Sequence, residues 1–185
     1  MVAILGWGSL LWDKREEFDK RHGPWQDGGP TIKLEFSRIS VSRDNALTLV
    51  IDPENGSECR VAYSLSNRNN LDDAIADLRC REGTTLAKIG FLDLTSGKLK
   101  SRDTASAEAI KSWAKNLRID AVVWTDLEAN FSFNGSGFSV ATAIAHLKQL
   151  QPAAKSKAAE YVWRAPDFVK TPLRTELQKE PWFSE

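Results

Sequence analysis

The sequence predicts an α+β fold in which a mixed, β-barrel-like sheet is surrounded by helices. Candidate strands follow one another through the first 65 residues, and no helix alternates with them. Helical patterns begin near residue 70 and are then mixed with further strands. Because regular strand–helix alternation is missing from the first half, a doubly wound parallel sheet is disfavoured. At 185 residues the chain is most simply one domain, spanning residues 1–185.

Four predicted strands occupy the first half of the chain, and the last two form a hairpin. Residues 2–5 form a short apolar strand, and the Gly- and Pro-rich residues 13–29 form an irregular excursion. Residues 46–65 read as a hairpin closed by Asp52-Pro53-Glu54-Asn55-Gly56, a strong turn signal. The strand at residues 32–41 alternates between two faces, one formed by Ile32, Leu34 and Phe36 and the other by Lys33, Glu35 and Ser37.

The clearest helix begins after Asn69 or Asn70, either of which can cap it, and Gly83 stops it. Its apolar residues recur at helical spacing on one stripe, formed by Leu71, Ala74, Ile75 and Leu78. The elements predicted beyond it are strands at 89–94 and 121–127, helices at 106–117, 139–150 and 158–164, a turn at 134–137, and an irregular tail interrupted by Pro172 and Pro181.

Composition limits the classes of function. Lys+Arg and Asp+Glu both number 25, so the formal net charge is zero and neither nucleic acid nor a membrane surface is an expected partner. Cys59 and Cys80 are too few for a disulfide framework and lack metal-ligand spacing, so buried reduced thiols are expected. The opening residues lack the basic start of a secretory signal, and a cytoplasmic location is expected. The oligomeric state stays open.

Glu82 is an acid on an apolar helix face. It follows Leu71 by eleven residues and Leu78 by four, so a helix that extends this far points its side chain along the apolar stripe. Burial and the negative end of the helix dipole would both raise the pKa of this carboxyl, which suits general acid–base catalysis. A solvated helix end, with Glu82 turned to water or paired with a neighbouring arginine, is the commoner arrangement for such a residue.

The opening strand ends in Gly6-Trp7-Gly8-Ser9, where small residues let a ligand approach the backbone closely. Successive N–H groups in such a turn can hold an anion. The turn lacks the spacing of a dinucleotide or phosphate-binding loop, and an ordinary strand-to-turn transition remains the commoner cause. Trp7 and Trp12 would line a pocket or, more commonly for tryptophan, belong to the core.

Taken together, these segments resemble the γ-glutamylcyclotransferase superfamily, and most nearly its ChaC-type branch. That family opens with an apolar strand running into a Tyr-Gly-Ser turn, matched here by Trp7-Gly8-Ser9-Leu10, and its glutathione-acting branch continues as Leu-Ile-Trp, matched by Leu10-Leu11-Trp12. Further matches are the segment 47–65, which ends in Val61-Ala62-Tyr63-Ser64-Leu65, the Arg81-Glu82 pair, the strand 121–125 and Glu160-Tyr161.

The resemblance implies an enzyme that cyclises a γ-glutamyl group to 5-oxoproline and releases an amine. Glu82 would be the general base, taking a proton from the substrate's α-ammonium and returning it to the leaving amine. The γ-glutamyl group would be held by the turn residues Gly6, Trp7, Gly8, Ser9, Leu10 and Leu11. Neither a metal nor a cofactor is implied. His22 and His146 are expected to be surface or helix-face residues, and Asp126 and Glu128 solvated loop acids.

Two departures from the family pattern concern the substrate. Trp7 stands where the family has tyrosine, and Gly83-Thr84-Thr85 replaces a Lys-Gly-Gly-Tyr type of continuation. Glutathione is therefore one candidate among γ-glutamyl peptides and amines. The alternative function is a non-catalytic small-molecule binding or interaction protein that retains the fold and pocket. In a further alternative, the tryptophans and the loop are core packing and the site lies elsewhere.

Overall fold

The chain folds into two β-sheets and six helices, as seen in a computed structural model that describes residues 1–183. The strands are β1 (Val2–Gly6), β2 (Thr31–Ser40), β3 (Ala46–Ile51), β4 (Ser57–Arg60), β5 (Ala62–Leu65), β6 (Ile89–Asp93), β7 (Leu99–Lys100) and β8 (Ala121–Thr125). The helices are α1 (Glu16–Asp19), α2 (Leu71–Glu82), α3 (Thr104–Asn116), α4 (Val140–Gln149), α5 (Pro152–Trp163) and α6 (Pro172–Leu177). Within residues 1–183, none of these helices is long and apolar enough to cross a membrane.

The two sheets have different topologies. The five-stranded sheet has the order β5-β1-β8-β6-β7 and is mixed, because β1 runs parallel to β8 and antiparallel to β5. The three-stranded sheet has the order β3-β2-β4 and is antiparallel. The predicted α+β class is confirmed. The expected β-barrel-like closure is wrong for the part of the chain that the structure describes, since the strands form two separate open sheets.

Strand β1 is buried on both faces, because different elements cover the two sides of the five-stranded sheet. Val2 and Ile4 belong to a core cluster that includes Leu78 of α2. Ala3 and Leu5 belong to a second, larger cluster, built with the three-stranded sheet and the later helices. Strand β1 therefore lies between two apolar layers, and the residues that follow it belong to both, Trp7 to the larger cluster and Leu10 to the smaller one.

The predicted hairpin at residues 46–65 is wrong. Strand β2 lies between β3 and β4, and its Leu34 is paired with Ile51 on one side and with Ser57 on the other. The turn itself forms, with the Gly56 N–H donating to the Asp52 carbonyl at 2.9 Å. Because β2 is ten residues long and offers backbone hydrogen-bonding groups along both edges, it pairs with both of the strands that the turn connects.

The alternation predicted for β2 holds at the start of the strand, where Lys33 is exposed between the buried Ile32 and Leu34, and fails at residues 35–37, where both faces are buried. Glu35 and Ser37, expected on the outer face, are inaccessible to solvent. The Glu35 carboxylate accepts the N–H of Leu173 at 3.3 Å, at the start of α6. The tail that was expected to be irregular thus forms a helix on this face, with Pro172 at the first helical position, where its missing N–H costs nothing.

Helix α2 agrees with its prediction at both ends. The Asn70 side chain caps it by accepting the N–H of Asp73 at 2.8 Å, and Gly83 ends it in the left-handed conformation, with φ of 58°. Helix α5 begins at Pro152, earlier than predicted, and α1 interrupts the expected irregular excursion. Of the two cysteines, both free, Cys59 is buried as expected and Cys80 is exposed.

Candidate active site

The end of α2 and the turn after β1 open into one cavity of about 1030 Å³. The turn, at residues 8–10, is helical and follows β1 after a single residue, Trp7. Thr125, the last residue of the neighbouring parallel strand β8, also lines the cavity. Parallel strands present their carboxyl ends at the same sheet edge, so this topology brings the two segments together, and Glu82 faces them from α2.

The predicted binding turn is divided between several environments. Trp7, Ser9 and Leu10 line the cavity that Glu82 also lines, whereas Leu11 lines a different pocket of about 700 Å³. Gly6 lies against Trp25, and a Cβ added to Gly6 would fall 2.4 Å from the Trp25 ring. The first N–H groups of a helical turn have no acceptor within that turn. The N–H groups of Gly8 and Ser9 are therefore left to bind another partner.

Gly8 is required by both its conformation and its neighbour. Its φ of 59° lies in the left-handed region, which residues other than glycine rarely adopt. A Cβ at Gly8 would lie 2.8 Å from the Tyr161 hydroxyl oxygen. The turn and α5 are therefore in direct contact at the cavity wall, to which Tyr161 belongs.

The Glu82 carboxylate is largely removed from water. Its side chain is 18% exposed, and its Oε1 is buried with no hydrogen-bond partner within residues 1–183. Burial raises the pKa of Glu82 above its usual range, although the positive charges of Arg81 and Arg43 partly oppose this. A carboxyl with a raised pKa accepts and returns a proton closer to neutrality than an exposed glutamate does. The solvated helix end considered as an alternative is not the arrangement found.

Arg81 connects the helix end to the turn. Its Nη2 donates to the carbonyl oxygens of Ser9, at 3.1 Å, and Asp13, at 2.9 Å. Its Nη1 lies 3.7 Å from Glu82 Oε1, which is longer than a hydrogen bond. The arginine neighbour foreseen for Glu82 is therefore present, but its guanidinium is used mainly to fix the turn.

Aromatic side chains form part of the cavity wall. Tyr161 is buried, and burial raises the pKa of its phenol, with the nearby Glu82 charge acting in the same direction. Trp12 packs edge-on against Tyr161, with ring centroids 6.0 Å apart, and the Arg164 guanidinium lies 4.4 Å from the Trp12 ring centroid. Both Trp7 and Trp12 line the cavity, so the pocket role holds for both, although Trp7 also belongs to the core.

The cavity is strongly basic, although the whole chain has no net charge. Three acidic side chains line it, those of Asp13, Glu82 and Glu160. Seven basic side chains face them: Lys14, Arg15, Arg38, Arg43, Arg81, Lys157 and Arg164. A low-dielectric cleft lined by one sign of charge concentrates ions of the opposite sign, so this cavity favours an anionic ligand.

Asp126 and Glu128 do not belong to this cavity, and neither is a solvated loop acid as expected. Asp126 is buried and accepts the Arg102 N–H at 2.8 Å, while Glu128 bonds Lys88 and lies 3.5 Å from Arg38. Both line a separate pocket of about 400 Å³.

The two histidines were expected at the surface or on a helix face; both are buried, and the expectation is wrong for His22, which lies outside the helices. His22 lies with its Nδ1 2.6 Å from the Gly23 carbonyl, and His146, on a helix as foreseen, has its Nε2 2.8 Å from the Asn45 carbonyl. Among residues 1–183, no group of three or more His, Cys, Asp or Glu side chains is arranged to hold a metal ion.

Arg43 is a cavity residue that the sequence did not single out, whereas Arg81 and Thr125 were noted only within matched segments and were given no role in binding. The position of Arg81 directly before Glu82 was the only feature of the sequence that marked it. Arg43 lies on a short helical turn, residues 41–43, between β2 and β3, where no motif marks it.

The chain matches no protein-family model, no curated protein and no solved structure. The geometry of the cavity is therefore the basis on which a function is proposed.

Proposed function

We propose that this protein is a γ-glutamylcyclotransferase-like enzyme, with the corresponding fold, that converts a γ-glutamyl compound to 5-oxoproline and a free amine. The observation that carries the proposal is the largely buried Glu82 carboxylate, whose Oε1 has no hydrogen-bond partner within residues 1–183, in a cavity shared with Trp7, Ser9 and Leu10. The basic lining supports it as well, since a γ-glutamyl group carries an α-carboxylate. A cytoplasmic location is part of the proposal, and the free Cys59 and Cys80 are consistent with it.

The reaction needs little beyond positioning and one proton carrier. The Glu82 carboxylate takes a proton from the α-ammonium, and the freed nitrogen attacks the γ-carbonyl carbon to form the five-membered ring. The C–N bond to the leaving amine then breaks as the Glu82 carboxyl returns the proton to the departing nitrogen. The second proton on the ring nitrogen passes to the released amine, which leaves as an ammonium ion and leaves the lactam neutral. The attack is intramolecular, so the turn contributes chiefly by holding the substrate in a reactive conformation. The proton returned is the one first removed, and no water is consumed.

The direct test is to incubate the protein with a panel of γ-glutamyl peptides and amines and to measure 5-oxoproline. We expect turnover of at least one compound and its loss in Glu82→Gln, by 100-fold or more, as for removal of a general base. Glu160→Gln is the matched control, because Glu160 lines the same cavity but is exposed and paired with Arg164. Activity that survives Glu82→Gln removes Glu82 from its role.

A second candidate is a binding protein that retains the pocket without catalysis. Trp7 motivates it, because an indole only donates a hydrogen bond whereas the tyrosine of the family pattern donates and accepts. Trp7 lines the cavity, so the change affects the site itself. A ligand-dependent rise in melting temperature, without 5-oxoproline formation from any compound, would favour this candidate.

A further inference from the structure

A second cavity, of about 400 Å³, lies next to the basic one and is lined mainly by charges of the opposite sign. Leu127 lines both cavities, so they are neighbours. Among the residues that the structure describes, Arg102 is the one basic side chain in its lining. The acidic side chains in its lining, which give this acidic cavity its name, are Asp52, Glu54, Asp103, Asp126 and Glu128. A cleft lined mainly by negative charge concentrates cations, so the two cavities favour opposite kinds of ligand.

Four of these five carboxylates have no cationic partner. Glu128 is the exception, because it pairs with Lys88 and lies 3.5 Å from Arg38. No cationic nitrogen within residues 1–183 lies within 4.0 Å of the other four carboxylates. These four come from separate parts of the chain, namely the turn after β3, the residue before α3 and the residue after β8. The fold therefore brings unpaired negative charge together from three segments.

Asp52 and Asp126 are both only 2% exposed, but their surroundings differ. Asp52 accepts the N–H groups of Glu54 and Asn55, at 3.0 and 2.9 Å, within its own turn. These donors outweigh burial, and the pKa of Asp52 is lowered. Asp126 accepts the Arg102 N–H at 2.8 Å, and burial nevertheless raises its pKa. The negative charge of Asp126 is therefore the less compensated of the two, and it gains more from a cation bound beside it.

Ser37 adds a polar group that makes no hydrogen bond. Its side chain is buried in the wall of the acidic cavity, and its Oγ has no hydrogen-bond partner within the described part of the chain. A buried hydroxyl without a partner is unfavourable. The Asp52 carboxylate lies beside it and attracts the hydroxyl proton, which leaves the lone pairs of the oxygen for an N–H donor in the cavity. The wall thus offers an acceptor as well as negative charge.

The apolar part of the wall indicates an organic cation. Phe131 and Phe138 line the acidic cavity as an edge-to-face pair, with ring centroids 5.5 Å apart. Aromatic rings attract ammonium groups, whereas Ca²⁺ and Mg²⁺ use oxygen donors alone. A cavity of about 400 Å³ also suits a small organic ligand. The combination of carboxylates, a hydroxyl and aromatic rings is therefore one that holds an aliphatic ammonium group.

We propose that the acidic cavity is a binding site for a small aliphatic amine in its ammonium form, held by the Asp126 carboxylate and the Ser37 hydroxyl. Several unpaired carboxylates line the cavity, so a diamine is expected to bind more tightly than a monoamine. Glu54 and Gly137 are exposed residues of the lining, so the cavity opens to solvent and such a ligand can enter. The site lies outside the basic cavity in which the proposed reaction occurs, and it does not depend on that reaction.

Titration calorimetry with 1,4-diaminobutane tests the proposal, with 1,4-butanediol as the uncharged ligand of the same length. We expect saturable binding of the diamine with a Kd of about 1 mM or lower, weaker binding of 1-aminobutane and none of the diol. Asp126→Asn should weaken diamine binding by at least about 10-fold, as expected for a hydrogen bond to a charged group. Ser37→Ala and Glu54→Gln should each weaken it by about 2- to 5-fold. Glu58→Gln is the matched control, because Glu58 is exposed on β4 and lines neither cavity, and it should change the Kd by less than about 2-fold.

Several results would overturn the proposal: no saturable binding of the diamine, equal binding of the diol, or a Kd unchanged in both Asp126→Asn and Glu54→Gln. A larger loss in Glu58→Gln than in Asp126→Asn would place the bound amine elsewhere on the surface. Binding of Ca²⁺ that is tighter than that of the diamine, and is lost in the same variants, would make the ligand a metal ion. If Asp126→Asn lacks a cooperative thermal transition, Ser37→Ala and Glu54→Gln decide, and unchanged affinity in both rejects the proposal.

Discussion

Replacing Glu82 with glutamine tests whether the site is maintained at the expense of stability. The glutamine keeps the size of the side chain and removes its charge. In the wild-type protein that charge is buried, with Oε1 lacking a hydrogen-bond partner within residues 1–183. A buried polar group left unsatisfied costs about 1–3 kcal/mol, and Arg81, with Nη1 3.7 Å away, offsets part of this. We therefore expect Glu82→Gln to raise the free energy of unfolding by about 1 kcal/mol at pH 8, or the melting temperature by about 2–4 °C.

The effect of Glu82→Gln on stability depends on pH, and this dependence identifies burial of the charge as its cause. Burial raises the pKa of Glu82 in the folded protein above its value in the unfolded chain, so the unfolded chain releases this proton first. Below the pKa that Glu82 has in the unfolded chain, the carboxyl is protonated in both states and costs the folded protein least. As the pH rises from there through the pKa in the folded protein, the wild type loses stability relative to the variant. The advantage of Glu82→Gln should therefore be near zero at pH 4 and full at pH 8, as measured by urea denaturation across this range.

The matched control is Glu160→Gln, because the Glu160 side chain is 53% exposed and pairs with Arg164. Its free energy of unfolding should differ little from that of the wild type, with no gain as the pH rises. A Glu82→Gln variant that is less stable than the wild type at pH 8, or whose advantage is the same at every pH, refutes the argument from burial. That outcome would mean that the carboxylate is compensated by its arginine neighbours.

Three further predictions concern the turn, the tail and the pH dependence of catalysis. Gly8→Ala should lower the free energy of unfolding by about 1–3 kcal/mol and remove most of the activity, because the new Cβ meets the Tyr161 hydroxyl. Gly97→Ala is the control for backbone strain alone, because Gly97 also has a positive φ, 74°, but no atom lies within 4 Å of its added Cβ. Equal losses of melting temperature in the two variants would contradict the clash. Arg174→Met should destabilise the protein by about 3 kcal/mol in urea denaturation, because this guanidinium donates to four backbone carbonyls; a loss below about 1 kcal/mol would show that water replaces them. The acid limb of kcat/KM for 5-oxoproline formation should have its midpoint above 4.5, because protonated Glu82 cannot accept the substrate's proton; a midpoint at or below 4.5 would exclude a buried base.

Local chemistry explains what the sequence predicted well. The bounds of α2 follow from Asn70 and Gly83, whose capping roles depend only on neighbouring residues. The position of Glu82 on the inward side of the helix follows from spacing alone. The tail was mispredicted because Pro172 was taken as a breaker, although the first helical turn accepts proline.

Strand pairing and the composition of the cavity wall were harder to predict from the sequence, because both depend on contacts between distant parts of the chain. The Asp52–Gly56 turn shows that the chain reverses, but it does not reveal that β2 lies between the two strands it joins. Arg43 and Tyr161 are separated by 118 residues and meet only after the three-stranded sheet and α5 have packed. No local pattern marks such a pair, so the basic character of the cavity emerges only from the folded chain.

The two carbonyl contacts of Arg81 have a dynamic consequence. The last turn of a helix is normally the first part to fray, and the last residue of α2 is Glu82. Opening that turn requires the Arg81 bonds to Ser9 and Asp13 to break as well, so the helix end and the loop open together or not at all. Amide hydrogens near residue 82 should therefore exchange with deuterium at rates that follow those of the loop, and far more slowly than an unclamped helix end would.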